Sequence, residues 1–282
     1  MFYSSSRFAE FVCLRGPLAF VVLIVGCGYA EYESRLNESR KYYAYLEKVE
    51  TALTPKWSAT GNLMDMRVPR QFSLIPEPQP TPLADGTFEK PTTDPRQPDY
   101  LNLTLPELFG AWQAPFTVSK PEGPEECKGY IYALCNYWQL EGKQASDASE
   151  FVANLKTRMA ESLGIPVSDE RTEEYPKGNP LYQYQQQQVY DVCSFKGKDI
   201  NGTNYTFELY SRTNGTVIGV VVIVLPEGME MTQKPSDRIP ISERIPMMLA
   251  SFNFTKNAPP PGSSPDAAGQ PASTAPAAGT GF

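Results

Sequence analysis

The sequence predicts an α+β fold in which helices pack on an antiparallel sheet. Two observations carry this reading. Residues 127–257 alternate one strand, one amphipathic helix, three further strands and a closing helix. Two Asn-Gly pairs, Asn201-Gly202 and Asn214-Gly215, fall between the later strands, where tight antiparallel turns need residues that accept positive φ.

The core elements follow in order. Gly129–Leu140 reads as a strand rich in Tyr and other β-formers, with Ile131, Ala133, Cys135 and Tyr137 on one face and Tyr130, Tyr132, Leu134 and Trp138 on the other. Both faces are apolar, which predicts a central position. Asp147–Leu163 reads as a helix with a stripe of Phe151, Val152, Leu155, Met159 and Leu163, ended by Gly164-Ile165-Pro166. Tyr184–Phe195, Tyr205–Ser211 and Thr216–Leu225 read as strands, the last nearly all β-branched. Ile241–Phe252 reads as the closing helix.

Four other zones flank this core. Residues 1–26 read as a leader, and 27–54 hold a helix over 29–53 with Tyr32, Leu36, Tyr43, Leu46 and Leu53 near a helical period, stopped by Pro55. Residues 55–126 read as Pro-rich and irregular. Seven prolines lie between Pro76 and Pro98, each lacking the N–H a ladder needs, so 76–100 is expected to be a polyproline-like strap. An edge strand is expected within Leu63–Ile75 and a short helix over Leu105–Trp112. Residues 258–282 read as a disordered tail, because 20 of 25 are Ala, Pro, Gly or Ser and such composition buries too little apolar surface to order the chain.

The leader carries an address. Residues 1–17 have a net charge of +1, and the apolar run Leu18–Val25 is eight residues, against about 20 for a helix that spans a bilayer. A basic start, a short apolar stretch and small residues behind it form the pattern of a secretory signal. The four residues Ile24-Val25-Gly26-Cys27 resemble the lipobox of bacterial lipoproteins, which implies cleavage before Cys27 and lipid modification of that thiol. The alternatives are an ordinary signal with an incidental Cys27 and an uncleaved anchor. Removing residues 1–26 leaves 23 basic and 31 acidic residues, a charge of −8. The expected location is the bacterial cell envelope or periplasm, with the membrane as partner through the lipid anchor.

Two further resemblances concern the body of the chain. The Tyr-rich helix followed by Arg67-Val68-Pro69-Arg70-Gln71-Phe72 looks like uncharacterised bacterial lipoproteins. Val220–Gly228, then Ile245–Phe254, resembles the last strand and closing helix of Mog1/PsbP-like domains, and Pro69–Phe72 resembles their opening hairpin. That resemblance implies a sandwich of sheet and helices and a non-enzymatic binding or assembly role.

Composition narrows the chemistry. The 282 residues contain no His, which excludes His general bases, Ser-His-Asp and Cys-His nucleophiles and His-metal clusters. A net charge of −7 without a basic stripe argues against nucleic acid. Cys127, Cys135 and Cys193 lack zinc spacing and any Cys-x-x-Cys, so no metal, cofactor or catalytic thiol is expected. Cys135 and Cys193 both fall in predicted strands and are read as a buried thiol pair or a disulfide. Glu125-Glu126 and Glu173-Glu174 read as solvated loop charges.

The candidate ligand-binding residues are Tyr130, Tyr132 and Trp138, as an aromatic groove, and Arg67 and Arg70, which bracket Val68-Pro69 and are suited to carboxylates or phosphates. Asn-x-Ser/Thr triplets at Asn37, Asn102, Asn201, Asn204, Asn214 and Asn253 read as turn and strand polar residues in a bacterial chain. The function expected is a lipid-anchored, non-catalytic domain that binds an envelope protein or polymer. A His-free hydrolase working through carboxylates and a structural envelope component are the alternatives.

Overall fold

The structure is a computed structural model that describes residues 16–79, 81–82, 88–89, 93–120, 123–140, 149–166, 169–177, 187–230 and 239–259. The chain divides into two compact units, Met1–Thr51 with Leu181–Gln186, and Ala52–Pro180 with Gln187–Phe282.

The first unit is built on one long helix, α1 (Gly16–Ala52). It begins well before Tyr29, because nothing between Pro17 and Ala52 breaks it: Pro17 sits in the first turn, where its missing N–H costs nothing, and Gly26 and Gly28 each cost only about 1 kcal/mol. Among the described residues no helix is long and apolar enough to cross a membrane.

The second unit opens with short strands. β1 (Trp57–Ser58) pairs with β2 (Met64–Met66), and β3 (Ser73–Leu74) pairs with β6 (Leu108–Lys120). β4 (Thr81–Pro82) and β5 (Phe88–Glu89) form a two-strand ribbon. After β6 come β7 (Gly123–Cys135), α2 (Ser149–Leu163), β8 (Asp169–Tyr175), β9 (Gln188–Lys198), β10 (Asn204–Asn214), β11 (Val217–Pro226), β12 (Met229–Glu230), α3 (Ile241–Ser251) and β13 (Asn253–Phe254). The main sheet runs β12-β6-β7-β11-β10-β9-β8, antiparallel throughout, and β13 joins β2 in a second, three-stranded sheet. The molecule is therefore an antiparallel α+β fold.

Cross-strand partners share a face, so the register assigns every side chain to a side. One side is the α3 face, carrying Trp112, Phe116, Ile131, Ala133, Gly219, Val221, Arg212, Tyr210 and Tyr190. Residues 53–75 and α3 cover it. Trp57 meets Trp112 edge-on at 4.9 Å, Phe72 lies 6.0 Å from Phe116, and the Tyr190 hydroxyl donates to the Leu249 carbonyl at 2.8 Å. Gly219 is required beneath the end of α3, since a Cβ there would stand 2.5 Å from Phe254 and 3.0 Å from Phe252. The other side, the strap face, carries Tyr130, Tyr132, Val222, Leu209, Cys193 and Tyr205 and is covered by α2 and residues 93–105. β11 is buried on both faces from Val220 to Val224, as its unbroken β-branched run predicts.

Several expectations are corrected. Leu105–Trp112 is not a helix: β6 begins at Leu108, and Trp112, Ala114, Phe116 and Val118 alternate onto the α3 face with the period of a strand. The strand expected over Gly129–Leu140 starts at Gly123 and stops at Cys135, giving way to a 3-10 turn over Tyr137–Leu140. The sheet thus reaches into residues read as irregular. Glu173-Glu174 lie in β8, an edge strand whose charges discourage further pairing, and not in a loop. The turn after β10 is Gly215-Thr216, with Gly215 at φ +64° and its backbone so close to Lys256 that a Cβ would meet that carbonyl at 2.4 Å. The strap is described only in part, and the leader before Gly16, Tyr184 and the tail from Pro260 lie outside the described residues.

Candidate functional site

The strap face gathers four tyrosines. Tyr130 and Tyr132 are two residues apart on β7 and so point the same way, with rings 6.0 Å apart. Tyr205 enters from β10, and Tyr100 descends from the strap. Tyr100 stacks on Tyr130 at 4.4 Å, lies 6.1 Å from Tyr205, and its hydroxyl is 3.0 Å from the Tyr132 hydroxyl. The strap is held in place locally. Asp94 accepts from the Arg96 backbone N–H at 2.9 Å and from its guanidinium, while the Gln97 amide donates to the Leu105 carbonyl and accepts its N–H at 2.7 Å. The Ile200 N–H, in the β9–β10 turn, donates to the Tyr100 carbonyl at 3.2 Å.

Two open clefts flank the Tyr100–Tyr130 stack. One, about 360 Å³, is lined by Asp99, Glu126, Asp199, Asn201, Tyr130 and Tyr205. The other, about 380 Å³, is lined by Gln113, Tyr132, Pro95, Gln97, Pro98 and again Asp99. Lys128 and Tyr130 border both. Burial, with Asp99 and Asp199 facing it, pushes the Tyr130 hydroxyl up to about 12. Burial likewise raises Tyr100 and Tyr132, and the phenols facing the clefts are therefore hydrogen-bond donors at neutral pH.

The proposed groove is only partly assembled. Tyr130 and Tyr132 lie side by side on the strap face. Trp138 leaves the strand alternation, because β7 ends at Cys135, and it packs edge-on to Tyr137 at 4.8 Å. Arg67 and Arg70 belong to the segment that covers the α3 face. The Arg67 backbone N–H donates to the Ser251 hydroxyl at 3.0 Å, and the Arg70 Nε donates to the Leu53 carbonyl at 3.0 Å. The aromatic set and the arginines thus serve opposite faces. The side chain of Cys27 lies outside the described residues, although its backbone continues α1.

Cys135 and Cys193 form no pair. Both are reduced and buried, and β11 and β10 stand between their strands. Three strand spacings place them roughly 14 Å apart across the sheet, beyond the ~7 Å Cα limit of a disulfide. Burial pushes the Cys135 thiol up to about 12 and the Cys193 thiol up to about 11, so each is a packed, unreactive group.

Two half-buried carboxylates, Glu173 and Glu208, meet elsewhere, at the β8 edge of the α3 face. Arg171 contacts both Glu173 and Glu208, the latter at 3.0 Å, and Asp169 at 2.8 Å. Burial opposes charge on Glu173, but Lys177, the Tyr175 hydroxyl and Arg171 outweigh it and hold the carboxyl at about 2. A carboxylate held that low is a fixed acceptor and a poor proton donor at neutral pH.

Sequence reasoning missed Tyr100, Asp99, Gln113 and Tyr205. One signal was available: Tyr100 is an aromatic two residues after Pro98, the last proline of the strap. No family model matches the chain, and no curated protein matches it. A solved structure from Bacteroides thetaiotaomicron VPI-5482 is similar at 12% identity over 71% of this chain, with a TM-score of 0.30. This chain spans about half of that protein, 48% of its length, and a likeness at that level defines neither fold nor function.

Proposed function

We propose that this protein is an exported bacterial lipoprotein, anchored by acyl chains on Cys27 and presenting a non-catalytic binding domain to the cell envelope. The observation that carries the reading is Ile24-Val25-Gly26-Cys27 at the end of an apolar run, Leu18–Val25, too short to span a bilayer. Acyl chains each add about 0.8 kcal/mol per buried CH₂, so two or more give stable anchoring without a spanning helix. The domain's ligand, an envelope protein or polymer, is read onto the paired clefts around Tyr130, where hydroxyls, amides and carboxylates converge in open concavities. The Mog1/PsbP-like relationship is part of the same proposal, supported by α3 ending at Ser251 and Phe252 docking over Gly219.

Metabolic palmitate labelling of Cys27→Ser tests the anchor. Loss of label and release from the membrane fraction are expected, and unchanged labelling overturns the reading. Crosslinking in intact cells tests the binding role. A crosslinked partner lost in Tyr130→Ala is expected, and recovery of the protein alone under several crosslinkers overturns it.

A further inference from the structure

The helix α1 carries a stripe of exposed apolar side chains. Tyr29, Tyr32 and Tyr43 are 63%, 63% and 69% exposed, and Leu36 is 37% exposed. At 3.6 residues per turn these four fall within about 60° of arc. Tyr42, Tyr45 and Val49 lie on the other side of the helix and are less exposed. Tyr29, Leu36 and Tyr43 are spaced by seven, and Tyr32 and Leu46 stand at the complementary positions, which is the seam of a two-helix coil.

We infer that this stripe is a homotypic interface on which α1 of a second copy of the chain packs antiparallel, about a two-fold axis between Asn37 and Glu38. In that register Tyr32 meets Tyr43 of the second copy, Tyr29 meets Leu46, and Leu36 meets Ser39. Charge decides the direction. The antiparallel pairing sets the exposed Glu33 beside Arg40 of the second copy, twice over. A parallel pairing sets Arg35 beside Arg40, a repulsion repeated on both sides of the seam. The overlap runs from Tyr29 to Leu46, about 26 Å of helix, and leaves Glu50, which shares the stripe, beyond its end. A two-fold axis makes the surface self-complementary, so the assembly closes at two copies. The interface goes beyond the proposed function and does not depend on it: Cys27→Ser ends anchoring and leaves the pairing intact.

The test is sedimentation velocity on the purified full chain in detergent, over a concentration series. A reversible dimer is expected. Tyr43→Ala, at a position too exposed to disturb folding, weakens it about tenfold, because symmetry removes the contact twice. Glu33→Arg and Arg40→Glu each weaken it about fivefold, and an equal mixture of the two variants restores the wild-type affinity by forming mixed dimers. A chain that stays monomeric through the series overturns the inference. So does a dimer indifferent to Tyr43→Ala, a mixture no tighter than its separate variants, or a stripe that binds protein-free phosphatidylcholine vesicles without dimer formation.

Discussion

The two faces of the main sheet are covered by unlike means. The α3 face is closed by apolar contact. Phe252 and Phe254 sit over Gly219, two aromatic pairs join residues 53–75 to β6, and the half-buried Arg212 lies 4.7 Å from the Phe254 ring while donating to the Phe252 carbonyl at 2.8 Å. The strap face is closed partly by α2 and partly by a proline-rich segment, whose contacts are a stacked ring and hydrogen bonds. Aromatic and aliphatic side chains of residues 53–75 and α3 pack the first face. The second is left with open clefts, because prolines and local Asp and Gln contacts hold the strap across the sheet without filling the space beside Tyr100. Both faces bury apolar side chains, and the clefts around Tyr130 open on the strap side.

The largest effect that sharpens this contrast is Phe252→Ala. It removes a fully buried ring from the α3 face and is expected to cost about 3–5 kcal/mol, read as a lowered urea midpoint, while leaving ligand capture per folded molecule unchanged. A loss below about 1 kcal/mol would show that this apolar contact does not stabilise the α3 face.

Next is Tyr132→Phe on the strap face. It strands the buried Tyr100 hydroxyl and is expected to cost about 1–3 kcal/mol, with most of the loss recovered in Tyr100→Phe/Tyr132→Phe. Failure of the double variant to recover would mean that the hydroxyl pair is not what holds the strap.

Glu173 gives a smaller, pH-dependent effect at the α3 face's charged edge. Folding holds its carboxyl at about 2, below the usual ~4.3 of an unfolded chain. Its contribution is therefore complete above about pH 5 and is lost as the pH falls toward 2. Glu173→Gln is expected to be less stable than wild type at neutral pH, with the difference closing by about pH 2 in thermal melts. Parallel stability curves across that window would remove Arg171, Lys177 and Tyr175 as the cause. Smallest is Lys196→Ala, which breaks an exposed 3.7 Å pair with Glu227 and is expected to change stability by less than about 0.5 kcal/mol on either scale of measurement.

The legible parts of the fold were those fixed by local periodicity. Val217–Leu225 announced a doubly buried strand, Phe151, Leu155 and Met159 announced the face of α2, and Ile241–Phe252 announced the closing helix α3. β6 was not legible, because Pro106 shortly precedes it, Gly110 and Pro115 interrupt its pattern, and a short apolar run fits either period. β8 was not legible either, since an edge strand of Asp, Glu and Arg has no apolar face to declare it. Of the candidate site, Tyr130 and Tyr132 share one face of β7, as their spacing of two predicts. Trp138 was misplaced because the alternation was extended past the end of the strand.

The sequence by itself determined the α+β class, the closing strand and helix, the absence of histidine chemistry and the short apolar run ahead of Cys27. Each follows from composition or from neighbours a few residues apart. Only the tertiary structure decided that Arg67 and Arg70 serve the opposite face from the tyrosines, that Cys135 and Cys193 are separated by two strands, and that Tyr100 completes the aromatic cluster. Those relations depend on strand order and register. Strand order and register are set by which faces bury each other across 30 to 180 residues of chain, and no local pattern encodes them.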